Sequence, residues 1–217
     1  MKAIINKSEI IKEYELEYKP MIICVNEFNN KSAKEFSQKM TLAHNTGQPV
    51  IPIVIDSYGG EVYSLLHIIS EINHATLPIM TVVQGKALSC GAILASFGKP
   101  GLRFAAPTST IMIHDVSSAK WGKVEEIKAS AAETERLNKK IYTMMARNCG
   151  HDDDFFLEEV HNRGRADWYL ESKEAKKLKM SSIDVLHIDL RYGGSFKSMP
   201  RFHATMTPEF MQLAKGK

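Results

Sequence analysis

Apolar residues along this chain come in short runs broken by turn residues, and the runs alternate with stretches of helical period. Residues 21–25 (MIICV) predict a short buried strand. Residues 31–44 hold helix formers and few breakers, and 46–49 (TGQP) form a turn. Residues 50–55 (VIPIVI) predict the next strand, with Pro52 placing it at a sheet edge or at a strand start. A glycine turn, 56–61 (DSYGGE), then leads into a helix. There Val62, Leu65, Leu66, Ile69 and Ile72 recur at helical spacing and make one apolar face. A third strand lies within 77–84 (IMTVV at its centre), and 85–95 reads as a second glycine turn into a helix of small residues. Residues 110–113 predict a fourth strand. Residues 124–148 predict a long amphipathic helix, with Ile127, Ala131, Leu137, Ile141 and Met145 on or near one stripe. That stripe is wider than one small domain covers. A short helix over 152–162 starts with acids that suit its macrodipole, another covers 172–180, and 183–188 predicts a late strand. Residues 1–20 read as a polar arm and 193–217 as a basic, Met-containing tail.

Strand-turn-helix units at about thirty-residue spacing indicate an α/β protein with helices covering a buried sheet. No linker, composition break or internal repeat interrupts the pattern, so one domain over 1–192 is expected. The 217 residues suffice for a full core without disulfide staples. Net charge is only +3, which gives no argument for nucleic acid or an anionic membrane as partner. Three scattered cysteines, with no C-x-x-C pair, give no support to a zinc or redox site, so no metal or cofactor is expected. They make a reducing cytoplasm the default location. The first residues lack a signal-peptide core, and no run approaches the roughly 18 to 20 apolar residues of a membrane span.

Four segments can carry chemistry. Ser89 falls between the apolar strand and the small-residue helix, where a hydroxyl is exposed on a sharp bend and free helix N–H groups face a developing oxyanion. Alone, it reads more readily as an ordinary N-cap serine. His114 closes the apolar strand at 110–113. It is one of eight histidines and, alone, reads as a satisfied structural one. Asp167 stands in a polar turn before aromatic residues. Such a carboxylate can hold a histidine in one tautomer, although surface turn aspartates are far commoner. Gly59 and Gly60 let backbone N–H groups approach a substrate closely, or else make a plain tight turn.

Their combination and order resemble a known family. VIDSYGGEVYSLLHIISEI is similar to the ClpP segment built on Ser-Pro-Gly-Gly and its helix. QGKALSCGAILASFG resembles the ClpP nucleophile segment, RFAAPTSTIMIHD the histidine segment, and RADWYLESKEAKKLKMSSID the aspartate segment. KVEEIKASAAETERLNKKIYTMMARNCG looks like the family's long handle helix, here 122–148. The matches keep the family's order and similar gaps across roughly residues 50–186, and the first 50 residues match poorly. Tyr58 stands where the family has Pro and Cys90 where it has Met. Asp115 and Val116 replace Gln-Pro after the histidine, and Lys179 lies near a position where a glycine ends a helix.

The resemblance implies a ClpP/crotonase-like fold of stacked β-β-α units with a projecting handle helix. It implies a serine endopeptidase with Ser89 as nucleophile, His114 as base and Asp167 as the acid. The oxyanion donors would be the N–H groups of Gly60 and Cys90, and Gly59, Tyr58 and Asp115 would flank the substrate. It also implies heptameric rings stacked as a tetradecamer, and an AAA+ unfoldase of the ClpX, ClpA or ClpC type that feeds unfolded polypeptide into the chamber. No nucleic acid and no membrane are implied. The chain has no G-x-x-x-x-G-K-[ST] phosphate loop, so ATP hydrolysis would fall to that partner. Alternatives are a phage head-maturation or signal-peptide-peptidase-like protease of the same fold, a crotonase-type acyl-CoA enzyme, or a non-catalytic ring-building paralogue.

Overall fold

The structure, a computed structural model, describes residues 21–181 and the strand residues Ile183 and Asp184. The expected arm at 1–20, the tail at 193–217 and residues 185–188 of the late strand lie outside the described residues. Among those described, seven strands form one sheet. Strands β1 (Ile23–Val25), β2 (Ile51–Ser57), β3 (Ile79–Leu88) and β4 (Arg103–Ala105) run parallel in that order, with β7 (Ile183–Asp184) beyond β4. β5 (Thr110–Ile113) pairs in parallel with the end of β3, and β6 (Trp168–Glu171) runs antiparallel to β5.

The continuous apolar run of β2 follows from burial on both faces, the usual state of a parallel strand. Ile51, Ile53 and Ile55 join the main core with Ile79, Val83 and Ala87. Val50, Val54, Met80 and Val82 join Leu102 and Phe104 in a second cluster. Burying each such side chain contributes roughly 1.5–3 kcal/mol. Pro52 is the second residue of β2, one before the pairing with β1 begins at Ile53, so it marks a strand start within an interior strand.

Helix α1 (Asn30–His44) is capped reciprocally: Ser32 N–H donates to Asn29 Oδ1 at 2.8 Å and Asn29 N–H to Ser32 Oγ at 3.0 Å. It packs on α2 (Val62–His74). α3 (Cys90–Ala95) is buried along its whole length. α4 (Val124–Cys149) divides sharply. Its second half buries Leu137, Ile141, Tyr142, Met145 and Cys149, whereas Val124, Ile127 and Ala131 are exposed. The expected single stripe is therefore two surfaces, and the first half projects from the body. α5 (Phe155–Asn162) and α6 (Ser172–Lys177) complete the described helices.

Two further expectations change. Gly85 does not open a turn: β3 continues through it to Leu88. The β2–β3 register jumps there from Ile55 opposite Val83 to Ser57 opposite Ala87. Gly85 has φ 99°, and a Cβ on it would lie 2.9 Å from Asp56 Oδ1, so the strand bends at a residue that has no side chain. Upstream of the bend β3 pairs with β4, and downstream with β5. The polar turn at 163–167 leads into a strand, β6, where only aromatic residues before a helix cap were expected.

Candidate active site

Ser89 is the single residue that joins β3 to α3. Its backbone sits at φ 56°, ψ −120°, a conformation that costs a non-glycine residue on the order of 1–3 kcal/mol. Three bonds hold it there. Its N–H donates to the Met112 carbonyl at 2.9 Å, and its own carbonyl accepts from Ala92 N–H at 2.9 Å and Ile93 N–H at 3.3 Å. The strained serine is therefore fixed between β5 and the first turn of α3.

The Gly59–Gly60 turn is pressed against this serine. A Cβ on Gly59 would fall 2.7 Å from Ser89 Cβ and 3.2 Å from its Oγ. Gly59 also has φ 103°, so both space and conformation require glycine there. Its N–H is engaged by Ser57 Oγ at 3.0 Å. Gly60 is bridged to Phe28: Phe28 N–H donates to Gly59 O at 3.3 Å and Glu61 N–H to Phe28 O at 2.8 Å. Those bonds use the groups on either side of Gly60 N–H and leave that N–H itself without a protein acceptor among the described residues. Cys90 is buried, and its thiol donates to Gly60 O at 3.3 Å. Burial pushes the thiol up to about 11, so it stays protonated and keeps donating at neutral pH.

His114 follows the last residue of β5 and Asp167 precedes the first of β6. The antiparallel register, Thr110 opposite Glu171 through Ile113 opposite Trp168, makes His114 and Asp167 the next pair along the ladder. His114 Nδ1 lies 3.9 Å from Asp167 Oδ1, with the carboxylate about half exposed. That is ion-pair distance, about 1 Å beyond a hydrogen bond. β6 is anchored by Trp168, which packs on Phe156 and carries the Arg163 guanidinium 4.0 Å above its ring.

Ser89, His114, Gly60 and Cys90 line one cavity of about 540 Å³. Its surface is mostly apolar, with Ile93, Ile113, Val116, Leu137 and Ile141, and Glu61, Glu133 and several Ser and Thr hydroxyls also line it. No hydrogen bond joins Ser89 Oγ to His114 in this structure, and such bonds commonly tighten only with substrate present. Asp167 lies behind the histidine, outside the cavity. Tyr58 and Asp115 do not line it either. Tyr58 is 77% exposed and holds the Lys86 ammonium 4.3 Å from its ring centroid, while Lys86 pairs with Asp56 at 2.8 Å. Asp115 turns toward α4 and the 163–167 turn: Tyr142 O–H donates to it at 3.2 Å and Arg165 approaches at 3.6 Å. Burial first, then the Asp115 charge and hydrogen bond, raise the Tyr142 hydroxyl well above its ordinary range.

Residues passed over in the sequence complete the site. Asn138 Oδ1 accepts from Val116 N–H at 2.6 Å, which ties the segment after His114 to α4. A polar residue on the buried side of α4 was the available signal. Tyr63 and Glu133 stand at the cavity wall and meet across it, a contact between α2 and α4 that no sequence pattern announces. Among the described residues, no group of three His, Cys, Asp or Glu side chains is placed to hold a metal ion.

The arrangement offers a strained hydroxyl, an imidazole with a carboxylate behind it, and the backbone of two adjoining turns, at Gly60 and at Cys90. Compared with known families, residues 6–180 match the family described as Clp protease, a span that begins well upstream of residue 50, where the motif-by-motif resemblance starts.

Proposed function

The chain belongs to the Clp protease family, and from that premise we propose that it is a serine endopeptidase acting through Ser89, His114 and Asp167. The observation that carries this reading is the placement of His114 between Asp167, just before the adjoining strand, and the cavity it shares with Ser89.

Ser89 Oγ attacks the peptide carbonyl while His114 Nε2 takes its proton. Asp167 faces Nδ1, fixes the tautomer and stabilises the imidazolium. The N–H groups of Gly60 and Cys90 hold the oxyanion, a contribution of about 3 kcal/mol per donor. The tetrahedral adduct collapses to an acyl-enzyme, and the amine leaves with the proton from His114. Water, deprotonated by the same ring, then releases the acid. An apolar side chain of the substrate fits the aliphatic wall of the cavity.

The proposal extends to the assembly. Heptameric rings stacked through the projecting half of α4 would enclose the sites, and an AAA+ unfoldase would supply unfolded chain. The exposed apolar residues Val124 and Ile127 on that half support this, as does membership of the family. No described helix is long and apolar enough to cross a membrane. A cytoplasmic location is part of the same proposal.

The test is reaction with a fluorophosphonate probe followed by mass mapping of the modified residue. The expected adduct is on Ser89. An unlabelled protein, or an adduct elsewhere, overturns the assignment.

A further inference from the structure

Tyr63 lies in the first turn of α2, three residues after Gly60. Its hydroxyl donates to Glu133 Oε1 on α4 at 2.5 Å. Glu133 is itself held in a fork by Arg136, one turn along α4, with bonds of 2.7 Å from both Nε and Nη2. α2 packs on α1 and α3, and α4 on α5 and α3, so this bond reaches between two helices whose main packing lies elsewhere. Both Tyr63 and Glu133 line the cavity that contains Ser89 and His114, but Arg136 does not. The cavity is thus apolar over most of its surface and carries the Tyr63 ring and two carboxylates, Glu61 beside Gly60 and Glu133 on α4.

The two partners of Glu133 give it its character. The Arg136 fork first, and the Tyr63 bond second, hold the Glu133 carboxyl down to about 2, so it is ionised at any working pH. Its countercharge stands outside the cavity wall. The Tyr63 ring is 62% exposed, so it contributes little to the core and can swing away when the bond breaks.

We propose that Tyr63 and Glu133 form a crossbar over the cavity that selects the substrate side chain preceding the scissile bond, by limiting its length and by repelling acidic groups. This rests on the serine-peptidase reading and adds the determinant of its preference. Medium aliphatic side chains fit beneath the closed bar. A bulky aromatic chain must break the Tyr63–Glu133 bond to enter. An acidic chain meets the fixed carboxylate, and the like charges repel. An alkyl chain ending in an ammonium is tolerated, because its stem suits the wall and its head faces Glu133.

The experiment uses the full-length protein and a series of fluorogenic peptides. They differ only in the residue before the cleaved bond: Ala, Leu, Phe, Trp, Glu or Lys. Each kcat/KM is expressed relative to the Leu peptide, so a general change in activity cancels. In the parent, Leu should exceed Trp and Glu by at least about tenfold. Tyr63→Ala should raise the Trp/Leu ratio by at least about fivefold, and Tyr63→Phe, which keeps the ring and loses the bond, should raise it by less. Glu133→Gln should raise the Glu/Leu ratio and lower the Lys/Leu ratio. Unchanged ratios in active Tyr63→Phe and Glu133→Gln enzymes overturn the crossbar and leave the peptidase reading standing. Equal loss on every peptide also overturns it, since the pair would then position the catalytic atoms without selecting. A parent that cleaves none of the series sinks both.

Discussion

His114 and Asp167 face each other as the next pair of the β5–β6 ladder, 3.9 Å apart between Nδ1 and Oδ1. Fifty-three residues separate them in the chain (167 − 114). The antiparallel register alone brings them together, since each lies one residue outside its strand. A one-residue slip of β6 would turn Asp167 to the opposite face. The strand's anchors, Trp168 in the core and Leu170 beside it, therefore matter to the chemistry as well as to packing.

Asp167→Asn keeps this geometry and removes the charge. The expected outcome is a fall in kcat on the order of 10³-fold or more, with a native circular dichroism spectrum. A variant that cleaves peptide at a parental rate would show that Asp167 plays no part.

Acidification should slow the enzyme. His114 can accept the Ser89 proton only as the neutral ring, so kcat/KM should fall where acid protonates it. Cys90, raised to about 11, remains a thiol throughout and keeps its bond to Gly60, so it adds no limb to the profile near neutrality. A rate that is flat between about pH 5 and 8 would count against His114 as the base.

Ser89→Ala and Ser89→Gly should both lose peptide cleavage and probe labelling while keeping the parent's sedimentation profile. They should differ in stability. Glycine adopts φ 56° without steric cost, so Ser89→Gly should unfold at a higher denaturant concentration than Ser89→Ala, by on the order of 1 kcal/mol. Equal midpoints would mean that the turn stores no strain.

Charge on α4 should act differently at its two ends. Ile141 and Met145 are buried within the subunit's own core, so an acid there should unfold the chain. Ile127 is 44% exposed. Ile127→Glu should leave the subunit folded and shift the sedimenting species to a smaller particle. An unchanged sedimentation profile would exclude this half of α4 from the proposed ring contact.

Lys179, two residues past α6, adopts φ 57°, the left-handed conformation in which helices commonly end on glycine. Its carbonyl accepts from the buried Arg103 at 3.0 Å, so the bend is kept for that bond. Lys179→Gly should raise stability by about 1 kcal/mol, read as a higher melting temperature with unchanged activity. A lower melting temperature would mean that the lysine side chain contributes more than the strain costs.

Local pattern in the chain (apolar period, turn residues, helix formers) suffices for the alternation of strands and helices, the glycine turn before α2 and the strand-to-helix turn that carries Ser89. The sequence also put Ser89, His114 and Asp167 in view, through motifs whose order resembles one family, although each alone read as an N-cap, a structural histidine or a surface turn. Tertiary structure decided the rest. β4 and β6 are short strands with no alternation long enough to register, and they exist because neighbouring strands complete their hydrogen bonds. Gly85 reads locally as a turn, yet pairing with β2 and β5 carries the strand through it. Only the folded chain sets Gly59 against the Ser89 hydroxyl, His114 across from Asp167, and Tyr63 on Glu133. Such contacts join elements far apart in sequence, and a linear pattern records which residues are apolar or charged, not which of them the sheet register brings face to face.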